Sequence, residues 1–241
     1  LIHAVEAAVL PYFQQAAPQF AISLEMLERD VQELLDDYLT GRVELEAFLQ
    51  GARPWTNYLS DYHPLVEFAR LQALPVIAAN VPRAYASLVA RCGAVILDTL
   101  SSADKQYIAR QLIIFKDGYW NKFEETMTNL GDRHMMFDEQ QLDNLYAAQC
   151  LKDDTMAEAI ADFLEANNGW KVIHYNGHFH SSEHLGTAQK LSLIRPDLRI
   201  AVITPVVTDL ETWQENLDQY KHLGEYLILL ANEETPVGDG N

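Results

Sequence analysis

The chain has 241 residues, 49% of them hydrophobic and 22% charged, a composition that fits a folded globular protein and not a disordered or fibrous one. Its 17 basic and 35 acidic residues leave a formal charge of −18, a field that repels phosphate backbones and anionic lipid surfaces and so argues against nucleic acid as a partner. No apolar run reaches the roughly 18 residues that a bilayer-spanning helix needs.

In chain order, a helix is expected over Ile2 to Gln14 and a strand over Gln19 to Leu24, leading to Glu25. Helices follow at Leu27 to Tyr38 and Pro64 to Leu71, where apolar residues recur three and four apart. Pro75 to Ala79 and Ala94 to Leu97 read as buried strands. Two helices come next: Glu139 to Cys150, with Asp138 as N-cap, and Asp154 to Ala166, stopped by Asn168-Gly169. Lys171 to Tyr175, Arg199 to Ile203 and Tyr226 to Ala231 complete the strands, and Glu233 to Asn241 reads as a loose tail. Continuous apolar strands alternating with helices predict one α/β domain, a largely parallel sheet flanked by helices, with helical insertions over the strand ends at about 26–72 and 104–167. Cys92 and Cys150 lie far apart in no metal-binding spacing and are either a single disulfide or, as expected, two buried thiols. The start at Leu1 suggests a mature or trimmed product.

In open α/β sheets, ligands gather beyond the carboxyl ends of the strands, which draws attention to Glu25, Asn80, Arg83 and the turn after Tyr175. Glu25 either complements a helix dipole or serves a site; Asn80 either closes a turn or faces a ligand. Arg83 suits a carboxylate or phosphate, or a surface ion pair. His174 to Gly186 holds four of the eight histidines. His174 lies inside the strand and reads as structural, while Gly177 allows a bend. Ser181 or Ser182 then caps a helix whose first turn carries Glu183 and His184, so that His178, His180 and His184 line one mouth. Trp55, Tyr58 and Tyr62 form either a packing patch or an apolar slot edged by phenols, one of which could ligate ferric iron.

The order of motifs resembles the ChaN-type haem-binding uptake lipoproteins of the Tiki/TraB/erythromycin-esterase group. The resemblance runs from Phe20-Ala-Ile-Ser-Leu-Glu-Met26 and Arg29-Asp30-Val-Gln32 through Trp55, Tyr58, Tyr62-His-Pro-Leu65 and Phe68-Ala-Arg70. It continues in Pro75 to Arg83, Ala148-Gln149 and Asp153 to Ala157, and ends at Gly177-His-Phe-His180. It implies an α/β fold with a polar site at the strand ends, in an exported, periplasmic or outer-membrane bacterial lipoprotein that handles haem during iron uptake. Glu25 then matches the glutamate of the second strand, His180 the histidine of the second Gly-x-x-His, and Asn80 and Arg83 the Asn-x-Pro-Arg stretch. The family's first strand, with its own Gly-Glu-x-His-Asp, has no counterpart here, and His3 is expected to be its remnant one turn into the first helix.

The function implied is capture or storage of haem, more than catalysis, with iron held by Tyr62, Tyr58 or Tyr175. Arg83, Lys190, Arg195 or a histidine cation would meet the propionates. A homodimer and an outer-membrane haem receptor are the implied partners, with membrane attachment only through a lipid anchor. The alternative is a metal-dependent hydrolase of the Tiki type, a divalent ion resting on Glu25, His180 and His3.

Overall fold

The chain enters as helix α1 (Ile2–Ala16), which runs through Pro11, and passes into strand β1 (Phe20–Glu28). This computed structural model describes residues 2–131, 137–209 and 212–231; the expected tail, Glu233 to Asn241, lies outside them. After β1, a 3-10 turn at Arg29–Val31 leads into helices α2 (Gln32–Leu39), α3 (Leu45–Ala52), α4 (Tyr58–Asp61) and α5 (His63–Leu71). Strand β2 (Val76–Asn80) and helices α6 (Arg83–Cys92), α7 (Ser102–Lys105), α8 (Gly118–Gly131) and α9 (Glu139–Ala166) come next. Strand β3 (Lys171–Tyr175), α10 (Gly186–Ile194), β4 (Ile203–Thr208), α11 (Trp213–Tyr220) and β5 (Tyr226–Ala231) complete the order.

Strand β1 is the middle of a parallel sheet in the order β2-β1-β3, with Ser23 opposite both Ile77 and His174. Its alternate residues feed two cores. Phe20, Ile22 and Leu24 join Val76, Ala78 and Tyr175 against Leu10 of α1, Leu35 of α2 and Leu65, Val66 and Ala69 of α5. Ala21, with Ile77 and Ala79 of β2, meets the wholly buried Met156 of α9. Such coverage on both faces explains why these strands read as unbroken apolar runs. Among the described residues, no helix is long and apolar enough to cross a membrane.

The register between β1 and β2 slips after Leu24, so that Glu28 pairs with Asn80. The extra residues form a bulge, and Asn80 closes it: its side-chain amide donates to the Glu25 carbonyl at 3.1 Å, and its side-chain oxygen accepts the Val81 amide at 2.9 Å. The bulge carries β1 on to Glu28, so Leu27 belongs to the strand and the helix expected from it starts at Gln32. Gln32 then serves the free edge of β2: its amide nitrogen donates to the Val76 carbonyl at 2.9 Å, and its oxygen accepts from the Ala78 amide at 2.7 Å. One side chain thus substitutes for a neighbouring strand.

Four further expectations change. Ala94 to Leu97 lies in a 3-10 segment, Ala94–Thr99, entered through Gly93 at φ +79°; its apolar residues rest on the α6–α9 core around Val89 and Leu151, and a short apolar run does not distinguish that from a strand. The helices expected on either side of Lys152 are one helix of 28 residues, capped as foreseen by Asp138, whose carboxylate accepts the Gln141 amide at 2.8 Å. Strand β4 begins only at Ile203, and β4 and β5 pair in a separate two-stranded parallel sheet. Cys150 is a buried thiol, but Cys92 is exposed.

Candidate functional site

Glu25 ends the regular part of β1 and points, like Ala21 and Ser23, toward the α9 side. One carboxylate oxygen accepts the Gly177 amide at 2.7 Å, and the other lies 3.3 Å from His180 Nε2. The 3-10 turn His178–His180, reached directly from β3, presents that imidazole, which is only 6% exposed. On its far side Nδ1 donates to Asp153 of α9 at 2.7 Å. Asp153, fully buried, accepts two hydroxyls as well, Thr187 of α10 at 2.8 Å and Tyr119 of α8 at 2.7 Å. The Gln149 amide donates to the Tyr119 hydroxyl at 3.0 Å beside the same ring. Elements remote in sequence thus converge on one imidazole.

Burial works against charge on His180, but Asp153 and Glu25 outweigh it and lift the ring to about 10. Burial likewise opposes the Glu25 carboxylate, yet His180 and the Gly177 amide bring it down to about 2. The array is therefore an imidazolium clasped between two carboxylates, with the hydroxyls of Tyr119 and Thr187 and the Gly177 amide accounting for the remaining negative charge. The ring cannot offer a lone pair to a metal while both nitrogens carry protons.

His174 is held apart from this charge. Its Nδ1 lies 2.9 Å from the Ser23 hydroxyl, and burial pushes it down to about 4, so it is a neutral imidazole whose buried Nε2 has no partner among the described residues. The structural role expected for it fits that bond.

The other histidines diverge from His180. Glu183 and His184 sit at φ +65° and +58°, so the helix starts at Gly186 and not at the serines. His184 turns away and meets Glu225 at 2.8 Å. His178 is exposed. The shared mouth expected for His178, His180 and His184 does not form, because two left-handed residues break the turn that would have aligned them. Gly177, at φ −60°, needs no glycine freedom. Gly186 does: at φ +54°, a Cβ there would lie 2.6 Å from the His180 carbonyl oxygen and 3.0 Å from Asp153.

The tyrosines lie on the opposite side of the sheet. Tyr62 is 5% exposed, its ring 4.8 Å from His3 and 5.9 Å from Trp55. Tyr58 is buried deeper, and its hydroxyl has no partner among the described residues. Tyr175 donates to the Glu6 carbonyl at 3.1 Å. His3 bonds Glu6 at 2.8 Å and lies 3.6 Å from Asp61, so it does not join Glu25 and His180 in a ligand set. Among the described residues no group of three or more His, Cys, Asp and Glu side chains is placed to hold a metal ion. Arg83, largely exposed, reaches Glu28 at 3.4 Å and stays open to an anion. Lys190 is 1% exposed and committed to Asp154 and the Ile113 carbonyl, and Arg195 is tied to Asp197 at 2.7 Å, so neither is free for a propionate.

Asp153, Tyr119, Thr187 and Gln149 were not singled out from the sequence as site residues. The signal for Asp153 is an acidic pair, Asp153-Asp154, between two apolar helical stretches, where charge without a partner is costly.

Three comparisons bear on this arrangement. No curated protein sequence matches the chain. The fold is similar to a solved structure described as cofacial heme binding to ChaN of Campylobacter jejuni, with a TM-score of 0.59 and 16% identity over 87% of this chain and 74% of that one. An erythromycin esterase mutant, EreC H289N in its open conformation, aligns with a TM-score of 0.45 and 14% identity over 84% of this chain and 66% of that one. The model of the family described as haem-binding uptake, Tiki superfamily, ChaN matches residues 1–191, a span that takes in β1, β2, β3 and every member of the His180 array. On that match the chain belongs to the ChaN haem-binding uptake family of the Tiki superfamily.

Proposed function

We propose that this protein binds haem at the carboxyl ends of β1, β2 and β3, as a carrier or store and not as an enzyme. The observation that carries the reading is the family match, which spans the chain from the His3 wall to Lys190. The donor set fits in kind. Tyr62, His3 and Trp55 supply a phenol, an imidazole and an aromatic face on one wall, and Arg83 a weakly paired guanidinium for a propionate. Tyr62 is the expected iron ligand, a largely buried side chain beside His3 and Trp55. His180 is excluded as an iron ligand, because both its nitrogens face carboxylates. Its role is to hold Gly177 and the turn that follows β3 in place. Hydrolysis on a metal held by Glu25 and His180 gains no support from a charged imidazole closed in on both sides. The reading carries with it an exported location, a homodimer and an outer-membrane receptor as further proposals.

Titration of the purified chain with ferric haem tests it. A saturable Soret shift is expected, weakened at least tenfold in affinity by Tyr62→Phe and left in place by Tyr12→Phe on an exposed tyrosine of α1. Absence of a saturable shift would overturn the assignment, and a shift indifferent to Tyr62→Phe would overturn that residue as ligand.

A further inference from the structure

Between α7 and α8, residues 108–117 run without regular structure across α9, yet their backbone is read almost as closely as a strand's. The Ala109 amide donates to Thr155 at 3.1 Å, the Arg110 amide to Glu158 at 2.8 Å and the Ile113 amide to Asp154 at 2.7 Å. The Phe115 carbonyl accepts from the Tyr146 hydroxyl at 2.8 Å, and the Ile113 carbonyl from the Lys190 ammonium. Every one of these partners is a side chain, so the segment can lift away between two fixed ends, Ile108, which is buried in the α6–α9 core, and Asp117, whose carbonyl accepts the Asn121 amide of α8. It covers an aromatic wall of Tyr119, Trp120, Phe123 and Tyr146, on which its own Leu112 packs, while Ile114 and Phe115 are 41% and 48% exposed.

Beneath it lies a sealed ion pair. Asp154 and Lys190 are 2% and 1% exposed and 3.5 Å apart, and one Asp154 oxygen has no hydrogen-bond partner among the described residues. The adjacent carboxylate, Asp153, holds His180, and Tyr119, which donates to it, follows directly on the segment. Consecutive residues of α9 therefore grip the covering segment and the buried imidazolium.

We propose that residues 108–117 are a releasable strap over the His180 array, and that Asp154 makes its closure pH-dependent, tighter in acid than in neutral solution. The titratable and charged groups facing Asp154 are Lys190 from α10 and Asp153 and Cys150 from α9 itself. The strap's own charges turn elsewhere, Arg110 to Glu158 and Asp162, Lys116 to Asp143, and Asp117 to Gln189. Burial lifts Asp154 from 3.8 to about 6, against the pull of Lys190 and the Ile113 amide. Once the strap opens, water restores the ordinary carboxylate value. The closed form thus binds the proton more tightly than the open form, so closure is strongest below the ordinary value and weakens as pH rises toward the lifted one. The difference corresponds to about a hundredfold change in the opening equilibrium.

Hydrogen exchange on the full chain, with each amide corrected for its intrinsic rate, tests this without any haem. Protection at Ala109, Arg110 and Ile113 should fall by up to about a hundredfold between pH 4 and pH 7. Asp154→Asn keeps an oxygen for the Ile113 amide and should flatten the profile; Glu158→Gln should leave the step in place. A flat wild-type profile, or a step that survives Asp154→Asn, would overturn the proposal. If Asp154→Asn fails to fold, the wild-type profile alone decides.

Discussion

His180 is a residue whose charge is made by its neighbours, and its titration should be visible in stability. Its value is raised from 6.5 to about 10, so the stability it contributes is complete below 6.5 and lost as pH rises toward 10. Glu25 is depressed from 4.5 to about 2; its contribution is present above 4.5 and lost as pH falls toward 2. The array is whole between those limits. Asp154, raised, runs the other way on the acid side, so the comparison that isolates His180 is the alkaline limb of wild type against His180→Gln. Urea unfolding should show the variant about 3–5 kcal/mol less stable near pH 6, because two buried carboxylates lose their cation. The gap should narrow steadily up to pH 10. A gap that does not change with pH would mean the ring is neutral in the fold. Little of this is legible in the sequence: Gly177-His-Phe-His180 stands out, but the group that charges the ring, Asp153, lies in a helix whose own sequence gives no hint of which strand it covers.

At the scale of elements, side chains complete what strands and helices leave open. Gln32 pairs with the free edge of β2 through both halves of its amide and also donates to Asp36 at 2.9 Å, so Gln32→Ala removes three bonds, two of them to the Val76 carbonyl and Ala78 amide of that edge. A loss of about 1–3 kcal/mol in denaturant unfolding is expected, and Gln32→Glu should lose at least as much, because its second oxygen would face the Val76 carbonyl and the Asp36 carboxylate. Equal stability of Gln32→Ala and wild type would show that water serves that edge as well. β1, β2, β3, β5 and helices α1, α2, α5 and α9 follow from apolar runs and periodicity, and Asp138 marks the start of α9. The errors share a cause. Leu151-Lys152-Asp153 falls between the two expected helices because buried charges resemble loop composition until their partners are known. Ala94 to Leu97 looked like a strand because a short apolar run reports burial and not conformation.

Over the whole molecule, the described strands divide between a three-stranded sheet covered on both faces and a two-stranded one with apolar residues in water, Ile203, Val207 and Tyr226 at 43%, 56% and 62% exposed. Two parallel strands with an open face are weakly stabilised, so native-state exchange should find β4–β5 amides opening well before those of β1. Simultaneous exchange of both, only on global unfolding, would show one cooperative sheet instead. The amino-acid order was enough to specify a parallel α/β protein of the ChaN type, because burial on both faces leaves continuous apolar strands and the family's motifs recur in order along the chain. It could not specify that Asp153 completes the Glu25–His180 pair, that His184 leaves it for Glu225, or that Lys190 is sealed against Asp154. Those meetings depend on how α9 and α10 are set over the sheet and on two left-handed residues after His180, and local pattern records only how deeply a side chain is buried, never which distant group it meets there.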